Sequence, residues 1–450
     1  MTSERIDHHH ERRSPTARDA AWSLDAILQS ASEHSRETIR VLGQLLGNQP
    51  LAVMPPAQFA IHHLGIDGLE IASTKSTGPA TSLLLLGNLL RLEMQRHAGR
   101  VVVGSPGDGL PPTWTQLDIG ADEKLVVPGR LVAFFPADTL APVPVCVTID
   151  DRHWQREFSI LSSTAHKAEA ERLLADLQRR LKSVENPLRG RVLEARVDDG
   201  CVRIGASRAL ANERADLILP AAVWREVDVF LASATDRREL LRSLGLGTNR
   251  GLLIAGPPGV GKTHLVRVIA TALTGRYTTI LADANSVRHQ IADIYAESDT
   301  FGPTLVVLDD IDLVLGHRDG SGDNTGLADF LATLDGVRQR EDILTIATTN
   351  DPKSIDPAAQ RSNRFDMVIT LPKPDEASRA RILERHLAPL ALPLDIVELA
   401  RVLDGATGAD VKEVIRRTVL EHGRSFTQAQ LIEIAESGRW KATVNRRKYL

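Results

Sequence analysis

The chain has 450 residues, of which 42% are hydrophobic and 25% charged, and this composition is typical of a globular protein of about two or three domains. The net charge of -4 gives no overall attraction to nucleic acid or anionic lipid, so we expect no nucleic-acid partner. Two cysteines without Cys-x-x-Cys spacing exclude a disulfide framework and fit a reducing compartment. Because no apolar run is long enough to cross a bilayer and the N-terminus lacks an apolar export signal, we predict a cytoplasmic location without a membrane span.

The first half of the chain mixes helical and strand patterns. Polar residues predict a disordered tail over 1–15, where three consecutive histidines leave metal binding as an alternative. Apolar residues at helical spacing predict helices over 17–46, 80–97 and 163–183. Short β-type runs between Pro/Gly clusters predict strands over 101–103, 114–117, 131–135 and 143–149. The sequence therefore predicts an α+β domain over 16–185, followed by a β connector over 186–215.

From residue 216 the strand and helix patterns alternate regularly, which is typical of a parallel sheet covered on both faces. This α/β core is predicted over 216–373. Helical patterns dominate over 374–450 and predict a small α-helical lid that ends in a basic tail. Docking to an acidic partner and simple solvation are both open for that tail.

A glycine-rich segment lies between a predicted buried strand and a predicted helix. Glycines allow successive backbone N–H groups to converge on an anion, and the helix N-terminus adds its dipole. The lysine can reach the β- and γ-phosphates of ATP, and the threonine hydroxyl can bind Mg²⁺. The predicted P-loop consists of Gly256, Pro257, Pro258, Gly259, Val260, Gly261, Lys262 and Thr263, with His264 next to it.

Two aspartates follow the apolar run 305–308. At the carboxyl end of a buried parallel strand they lie where ligands of open α/β sheets bind. We expect Asp309 to support Mg²⁺ and Asp310 to orient or deprotonate the attacking water. The next strand ends at Asn350, which can bind the γ-phosphate or the water; a turn-forming role before Asp351-Pro352 is the alternative.

These motifs, together with Ala-Thr-Thr-Asn at 347–350 and Asp-Pro-Ala-x-x-Arg-x-x-Arg-Phe-Asp at 356–366, occur in the order found in the AAA ATPases. The resemblance covers about 217–423. It implies that Asn350 is the sensor-1 residue and that Arg364 is an arginine finger, which reaches the γ-phosphate bound by the neighbouring subunit of a hexameric ring. It also implies that Gly408 and Ala409 lie beside the adenine ring, whereas an ordinary helix N-terminus is the alternative for this pair.

The sequence departs from the family pattern in three places. Asp310 replaces the usual glutamate, so we expect slow but real hydrolysis. Met367 replaces a second arginine, so Arg364 would act alone. The aromatic pore loop is missing, since 283–289 stands near its place, and this favours remodelling or holding of a folded client over threading.

The sequence thus predicts a homo-oligomeric ring, with a hexamer as the expected form, that uses ATP and Mg²⁺ and binds a protein client or adaptor through its N-terminal region. Two alternatives stay open. One is a nucleotide-locked assembly scaffold with little turnover, which Asp310 and Met367 favour. The other is a DNA-handling motor or loader, against which the net negative charge and the few aromatic residues argue.

Overall fold

The computed structural model describes residues 54–440 apart from 108–109, 121–122, 153–155, 199–200, 208–211, 313–332, 334–341 and 351–364. The predicted tail 1–15 and the predicted helix 17–46 lie outside the described residues, as does the end of the basic tail.

The N-terminal region contains an antiparallel sheet of six strands. Their spatial order is β1-β6-β5-β4-β2, and β3 pairs with the first half of the long strand β4. Consecutive residues of β4 and β5 are apolar, so each strand presents apolar side chains to both faces of the sheet: Leu131 and Val145 lie in one buried cluster, and Val132 and Cys146 in another. The strands are β1 Ile71–Ser76, β2 Val102–Gly104, β3 Thr113–Gly120, β4 Glu123–Phe135, β5 Val145–Asp150 and β6 Glu157–Ser163.

Within the part of the chain that the structure describes, three helices cover this sheet. Helix α1 (Pro56–Leu64) packs Phe59 and Ala60 against one face. Helices α2 (Ala80–Arg96) and α3 (Lys167–Leu181) cover the other face, where α2 buries leucines and α3 buries Leu173, Leu174, Leu177 and Leu181 at helical spacing.

The second sheet has seven strands in the order β13-β9-β12-β11-β10-β7-β8. All neighbouring pairs are parallel except β7 with β8. Successive side chains point to opposite faces, so Leu305 and Val307 of β11 pack on one side and Val306 and Leu308 on the other. The strands are β7 Val192–Asp198, β8 Cys201–Ala206, β9 Arg250–Ala255, β10 Thr278–Ala282, β11 Thr304–Leu308, β12 Ile343–Thr349 and β13 Met367–Thr370.

Helices lie on both faces of this second sheet. Helices α4 and α6 pack on the face that carries Leu305, and α7 packs on the opposite face. The short helix α5 follows α4 directly. The bounds are α4 Ala221–Ala234, α5 Arg238–Ser243, α6 Lys262–Leu273 and α7 Ala284–Ser298.

The N-terminal region and the second sheet share one hydrophobic core. Strands β7 and β8 lie within the predicted connector and extend the second sheet. Strand β7 runs parallel to β10, and four residues of each strand are paired. The same buried cluster runs from Leu85 of α2 through Leu193 of β7 to Ile280 of β10 and Tyr295 of α7. The connector segment is therefore an integral part of the second sheet.

A buried carboxylate joins the two regions. Helix α2 begins after Pro79, which offers no capping side chain. Glu297 of α7 accepts a hydrogen bond from the backbone N–H of Thr81 at 2.9 Å, and the Thr81 hydroxyl accepts from the N–H of Ile204 in β8 at 3.2 Å. An acidic side chain at a helix N-terminus satisfies its free donors, so α7 supplies the cap that α2 lacks.

Four short helices form a separate C-terminal cluster with its own core, built around Leu383, Leu399, Val411 and Leu431. All four are capped at the first turn by a side chain, from Asp375, Asp395, Thr407 and Thr427 in chain order. The helices are α8 Glu376–Leu387, α9 Ile396–Val402, α10 Gly408–His422 and α11 Gln428–Ser437.

The predicted fold class is confirmed: a parallel P-loop type sheet is followed by a helical lid and preceded by an α+β region. Two strands and one helix of the N-terminal region escaped prediction, namely β1, β6 and α1. Strand β1 carries Ala-Ser-Thr-Lys-Ser, and β6 contains the buried serines Ser159 and Ser162, so neither shows an alternating apolar pattern. Among the described residues, none of the helices combines the length and apolar content needed to cross a bilayer.

Candidate nucleotide site

The P-loop connects the end of β9 to the start of α6, at the carboxyl edge of the second sheet. Gly259 and Gly261 both have positive φ angles, +82° and +104°, which other residues rarely adopt. A Cβ atom on Gly261 would lie 2.9 Å from Leu217 Cδ1, so the loop fits closely under the segment that precedes α4. Within the loop Val260 is buried, whereas Pro258 and the following His264 are exposed.

Lys262 is buried with its ammonium group inside the loop. Its Nζ donates to the carbonyl oxygens of Gly256 at 2.9 Å and Pro257 at 3.1 Å, and to Asn350 Oδ1 at 2.7 Å. These three bonds use all three protons of the ammonium group. Lys262 is therefore fixed between the P-loop and the end of β12.

A threonine and a carboxylate meet beside this lysine. The Thr263 hydroxyl lies 3.2 Å from Asp309 Oδ2. Thr348, fully buried in β12, donates its hydroxyl to Asp309 Oδ1 at 2.5 Å and accepts from the backbone N–H of Asp310 at 2.8 Å. The parallel register, in which Leu308 is opposite Ala347, brings Asp309 beside Thr348. Asp309 is thereby held in a fixed orientation toward the P-loop.

Asn350 is the centre of a second group of contacts. Its Nδ2 donates to Asp310 Oδ1 at 3.2 Å and to Asp312 Oδ2 at 3.2 Å, and its backbone N–H donates to Asp312 Oδ1 at 3.1 Å. Because the Oδ1 of Asn350 also accepts from Lys262, this amide links the lysine to two carboxylates.

Asp310 has a left-handed backbone with φ +51°. Aspartate and asparagine adopt this conformation more readily than other non-glycine residues. The turn returns the chain to β12, where the N–H of Ile311 donates to the carbonyl of Thr348 at 3.0 Å. A backbone of this kind favours the short carboxylate that the sequence has here.

The electrostatics of the site follow from one cation among three carboxylates. Burial lowers the pKa of Lys262. The negative charges of three neighbouring carboxylates oppose that shift, namely those of Asp310, Asp312 and Asp309. Burial raises the pKa of Asp310, and the neighbouring charges of Asp309 and Asp312 raise it further. The excess of negative charge means that a triphosphate would need a divalent cation to bind beside these groups.

The donor set fits Mg²⁺. The described residues contain no group of three or more His, Cys, Asp or Glu side chains that could cage a metal by themselves. Mg²⁺ is commonly held by one or two carboxylates together with phosphate oxygens and waters, and a carboxylate with a neighbouring hydroxyl is what Asp309 and Thr263 provide.

The lid contacts the P-loop directly. The backbone N–H of Ala409, in the first turn of α10, donates to the carbonyl of Gly259 at 3.1 Å. A Cβ atom on Gly259 would lie 2.7 Å from Thr407 Oγ1 and 2.9 Å from Ala409 Cβ. Gly408 lies near the same loop, with its Cβ position 3.7 Å from the Gly259 carbonyl. A second contact joins lid and core where Arg385 of α8 donates to Ala215 and pairs with Asp216.

The structure thus brings together Lys262, Thr263, Asp309, Asp310 and Asn350 from three neighbouring strand ends, with Ala409 on the P-loop. Arg364 lies outside the described residues. The sequence patterns did not predict Asp312 and Thr348 as members of the site. The signal for Asp312 was present as a third acid two positions beyond Asp310, whereas Thr348 emerges only from the register of β11 against β12.

This fold and this site define a P-loop ATPase domain. Residues 252–373 match the family described as "ATPase family associated with various cellular activities (AAA)". The chain therefore contains an AAA ATPase domain, and the family predicted from the motifs is confirmed for this part of the chain.

Several characterised proteins are similar to the chain over about 200 residues. A cell division cycle protein 48 homolog of Archaeoglobus fulgidus is 32% identical over 193 residues, which are 40% of this chain and 26% of that protein. A proteasome-activating nucleotidase of Methanothermobacter thermautotrophicus is 35% identical over 205 residues, 42% of this chain and 50% of that protein. An ATP-dependent zinc metalloprotease FtsH 1 of Conexibacter woesei is 33% identical over 213 residues, 43% of this chain and 32% of that protein. The chain thus spans half or less of the length of these relatives.

Proposed function

We propose that this protein is an Mg²⁺-dependent ATPase that works as a homo-oligomeric ring, with a hexamer as the expected form, and couples ATP hydrolysis to remodelling or chaperoning of a protein client. The observation that carries the proposal is the contact network in which Lys262, Asn350 and Asp310 are joined beside the Thr263–Asp309 pair. The names of the relatives, a proteasome-activating nucleotidase and a cell division cycle protein 48 homolog, support the coarse class.

In this proposal each residue has one role. The P-loop backbone from Gly256 to Gly261 and the Lys262 ammonium bind the phosphates, while Gly408 and Ala409 of the lid lie at the adenine side. Thr263 and Asp309 would hold Mg²⁺, which when bound neutralises phosphate charge.

Three further side chains act on the water and the γ-phosphate. Asp310 orients the attacking water and accepts its proton, and its raised pKa makes it a better proton acceptor than an ordinary aspartate once it is ionised. Asn350, fixed by Asp312, contacts the γ-phosphate. Arg364 would complete the site of the neighbouring subunit.

The first test measures steady-state ATP turnover at saturating Mg²⁺. Asp310→Asn removes the proton acceptor and should lower kcat by about a hundredfold or more, while Mg·ATP affinity stays close to that of the wild type. Asp310→Glu keeps a carboxylate and should retain measurable turnover. If wild type, Asp310→Asn and Asp310→Glu are equally inactive in intact rings, the assembly scaffold with little turnover is the better interpretation.

The shared site is tested by mixing two inactive variants. A ring made from Arg364→Ala and Asp310→Asn subunits contains interfaces where an intact P-loop half meets an intact Arg364. Random mixing of equal amounts gives about a quarter of the interfaces in a closed ring that arrangement, so about a quarter of the wild-type turnover should return.

A mixture of Lys262→Ala and Asp310→Asn subunits is the matched control. Both of these defects lie in the same half of the interface, so no complete site forms. Equal turnover in the two mixtures, or a monomeric wild type with full turnover, would contradict a site shared between subunits.

We propose further that the client is remodelled or held without being threaded. In the described structure a single residue, Asp283, separates β10 from α7, and its side chain caps the helix by accepting from the N–H of Ser286 at 2.8 Å. No loop separates these two elements, and the backbone break inside α7 is confined to Gln290, with φ -143° and ψ 25°, which leaves no segment long enough to project into a pore. A permanently unfolded protein should therefore not stimulate turnover, whereas ATP-dependent co-purification of a folded client with Asp310→Asn, and not with Lys262→Ala, would support the proposal.

A further inference from the structure

A cavity of about 330 Å³ lies at the amino edge of the second sheet, opposite the edge that carries the P-loop. Four segments meet there: the linker before β7, the turn between α4 and α5, the turn after α6, and the residue before β11. They contribute Arg189, Thr235, Arg238, Arg276, Tyr277 and Pro303 to its walls.

Positive charge in this cavity is only partly neutralised. Arg238 pairs with Asp342, which also accepts from Arg242, and Glu239 in the wall pairs with Arg242. Asp342 and Glu239 thus neutralise two positive charges of a group of four arginines. These are Arg189, Arg238 and Arg276 in the walls and Arg242 behind them. Among the described residues Arg276, which is exposed, has no side-chain hydrogen bond or ion pair, and the Nε of the half-buried Arg189 is buried without a partner.

The Nε of Arg189 is closed off from the cavity, whereas the terminal guanidinium nitrogens of Arg189 and Arg276 make no hydrogen bond within the described residues and are the donors that a ligand can reach. Arginine presents a planar set of donors that matches phosphate oxygens, and charge-assisted bonds of this kind are about twice as strong as neutral ones. The cavity is much larger than a single water and offers guanidinium groups on three separate segments.

We propose that this cavity binds a small molecule with two or more linked phosphate groups, held by Arg189 and Arg276 and assisted by Arg238. Arg189 belongs to the segment that leads from the N-terminal region into β7, whereas Arg238 and Arg276 belong to the ATPase side. A ligand in the cavity therefore joins these two parts of the chain at a position separate from the nucleotide site.

The test uses inorganic pyrophosphate as the probe and the full chain saturated with Mg·ADP, so that the P-loop is occupied. Equilibrium dialysis with labelled pyrophosphate should show one pyrophosphate site per chain, in addition to the nucleotide site that Mg·ADP occupies. Arg189→Gln and Arg276→Gln should each weaken that binding by about tenfold or more, because each removes a charge-assisted contact. Arg225→Gln, an exposed arginine on α4 outside the cavity, is the matched control and should bind like the wild type.

Two further measurements keep the outcome interpretable. Mg·ADP affinity and thermal unfolding of the variants should match the wild type, which shows that the fold and the nucleotide site are intact. If the wild type did not bind Mg·ADP, the proposed function would be contradicted; pyrophosphate binding measured without ADP would then support the cavity if Arg189→Gln and Arg276→Gln weaken it, and would overturn it if they do not. Pyrophosphate binding that occurs only by displacing ADP, or that is equal in all variants, overturns the second site.

Discussion

Replacing Gly259 by alanine should separate the lid from the P-loop. The new Cβ would lie 2.7 Å from Thr407 Oγ1 and 2.9 Å from Ala409 Cβ, and both neighbours are short side chains on the first turn of α10. The Ala409 methyl cannot turn away, and rotation of the Thr407 hydroxyl would break its cap on the N–H of Asp410, so the helix must shift. An alanine at φ +82° costs about 1–2 kcal/mol by itself, and the overlap adds about 1–3 kcal/mol.

Gly65→Ala is the control for the backbone cost. Gly65 has φ +65° and no atom within 4 Å of its Cβ position, so this variant carries the left-handed cost without the overlap. Both variants should unfold at lower temperature than the wild type. Only Gly259→Ala should lose Mg·ADP affinity in calorimetry, by roughly five- to 150-fold, which is the overlap energy expressed as a change in Kd. Equal nucleotide affinity in the two variants would refute the idea that close contact between lid and loop forms the site.

Three other changes test the interior of the site and the junction. Thr348→Val removes the hydroxyl that holds Asp309 and should weaken Mg·ATP binding by about 1–3 kcal/mol. The control is Thr345→Val on the same strand, which loses only a hydrogen bond to Tyr295 of α7 and should lower stability but leave Mg·ATP binding unchanged. Asp312→Asn removes one acceptor from Asn350 and should lower kcat about tenfold at unchanged Mg·ADP affinity; an unchanged kcat would show that Asp312 does not position Asn350. Burial raises the pKa of Glu297 from 4.5 to about 7, so the folded protein keeps a proton that the unfolded chain loses, and stability from this group is present below pH 4.5 and lost as the pH rises through 7. Glu297→Gln does not titrate, so between pH 5 and pH 8 the wild type should lose roughly 2–3 kcal/mol of unfolding free energy that this variant keeps; parallel pH profiles in denaturation would contradict this assignment.

The parts of the site that the sequence predicts best are contiguous in the chain. The P-loop places phosphate-binding N–H groups, a lysine and a threonine within eight consecutive residues, so its chemistry needs no knowledge of long-range pairing. Asp309 and Asn350 could be predicted because each ends an apolar run that a parallel sheet brings to the same edge. Roles in the bound complex, including that of Arg364, stay predictions.

What the sequence does not contain is the register between strands. Whether Asp309 meets Thr348 or a neighbour depends on the alignment of Leu308 with Ala347, and a shift of one residue would turn the threonine to the other face. The cap on α2 likewise depends on tertiary packing, because Glu297 lies 216 residues beyond Thr81. Polar strands such as β1 are defined by their neighbours more than by their own residues, and no local pattern marks them.

The pairing of β7 with β10 has a practical consequence for dividing this chain. A fragment that starts at residue 216, where the alternating pattern begins, would lack β7 and leave the backbone donors and acceptors along Thr279–Ala282 without their strand partner. An uncovered sheet edge of this kind is a template for other chains, so such a fragment should aggregate or dimerise edge to edge. A fragment that begins upstream of β7 keeps that edge closed, and comparing the two by light scattering would show which boundary gives a soluble protein.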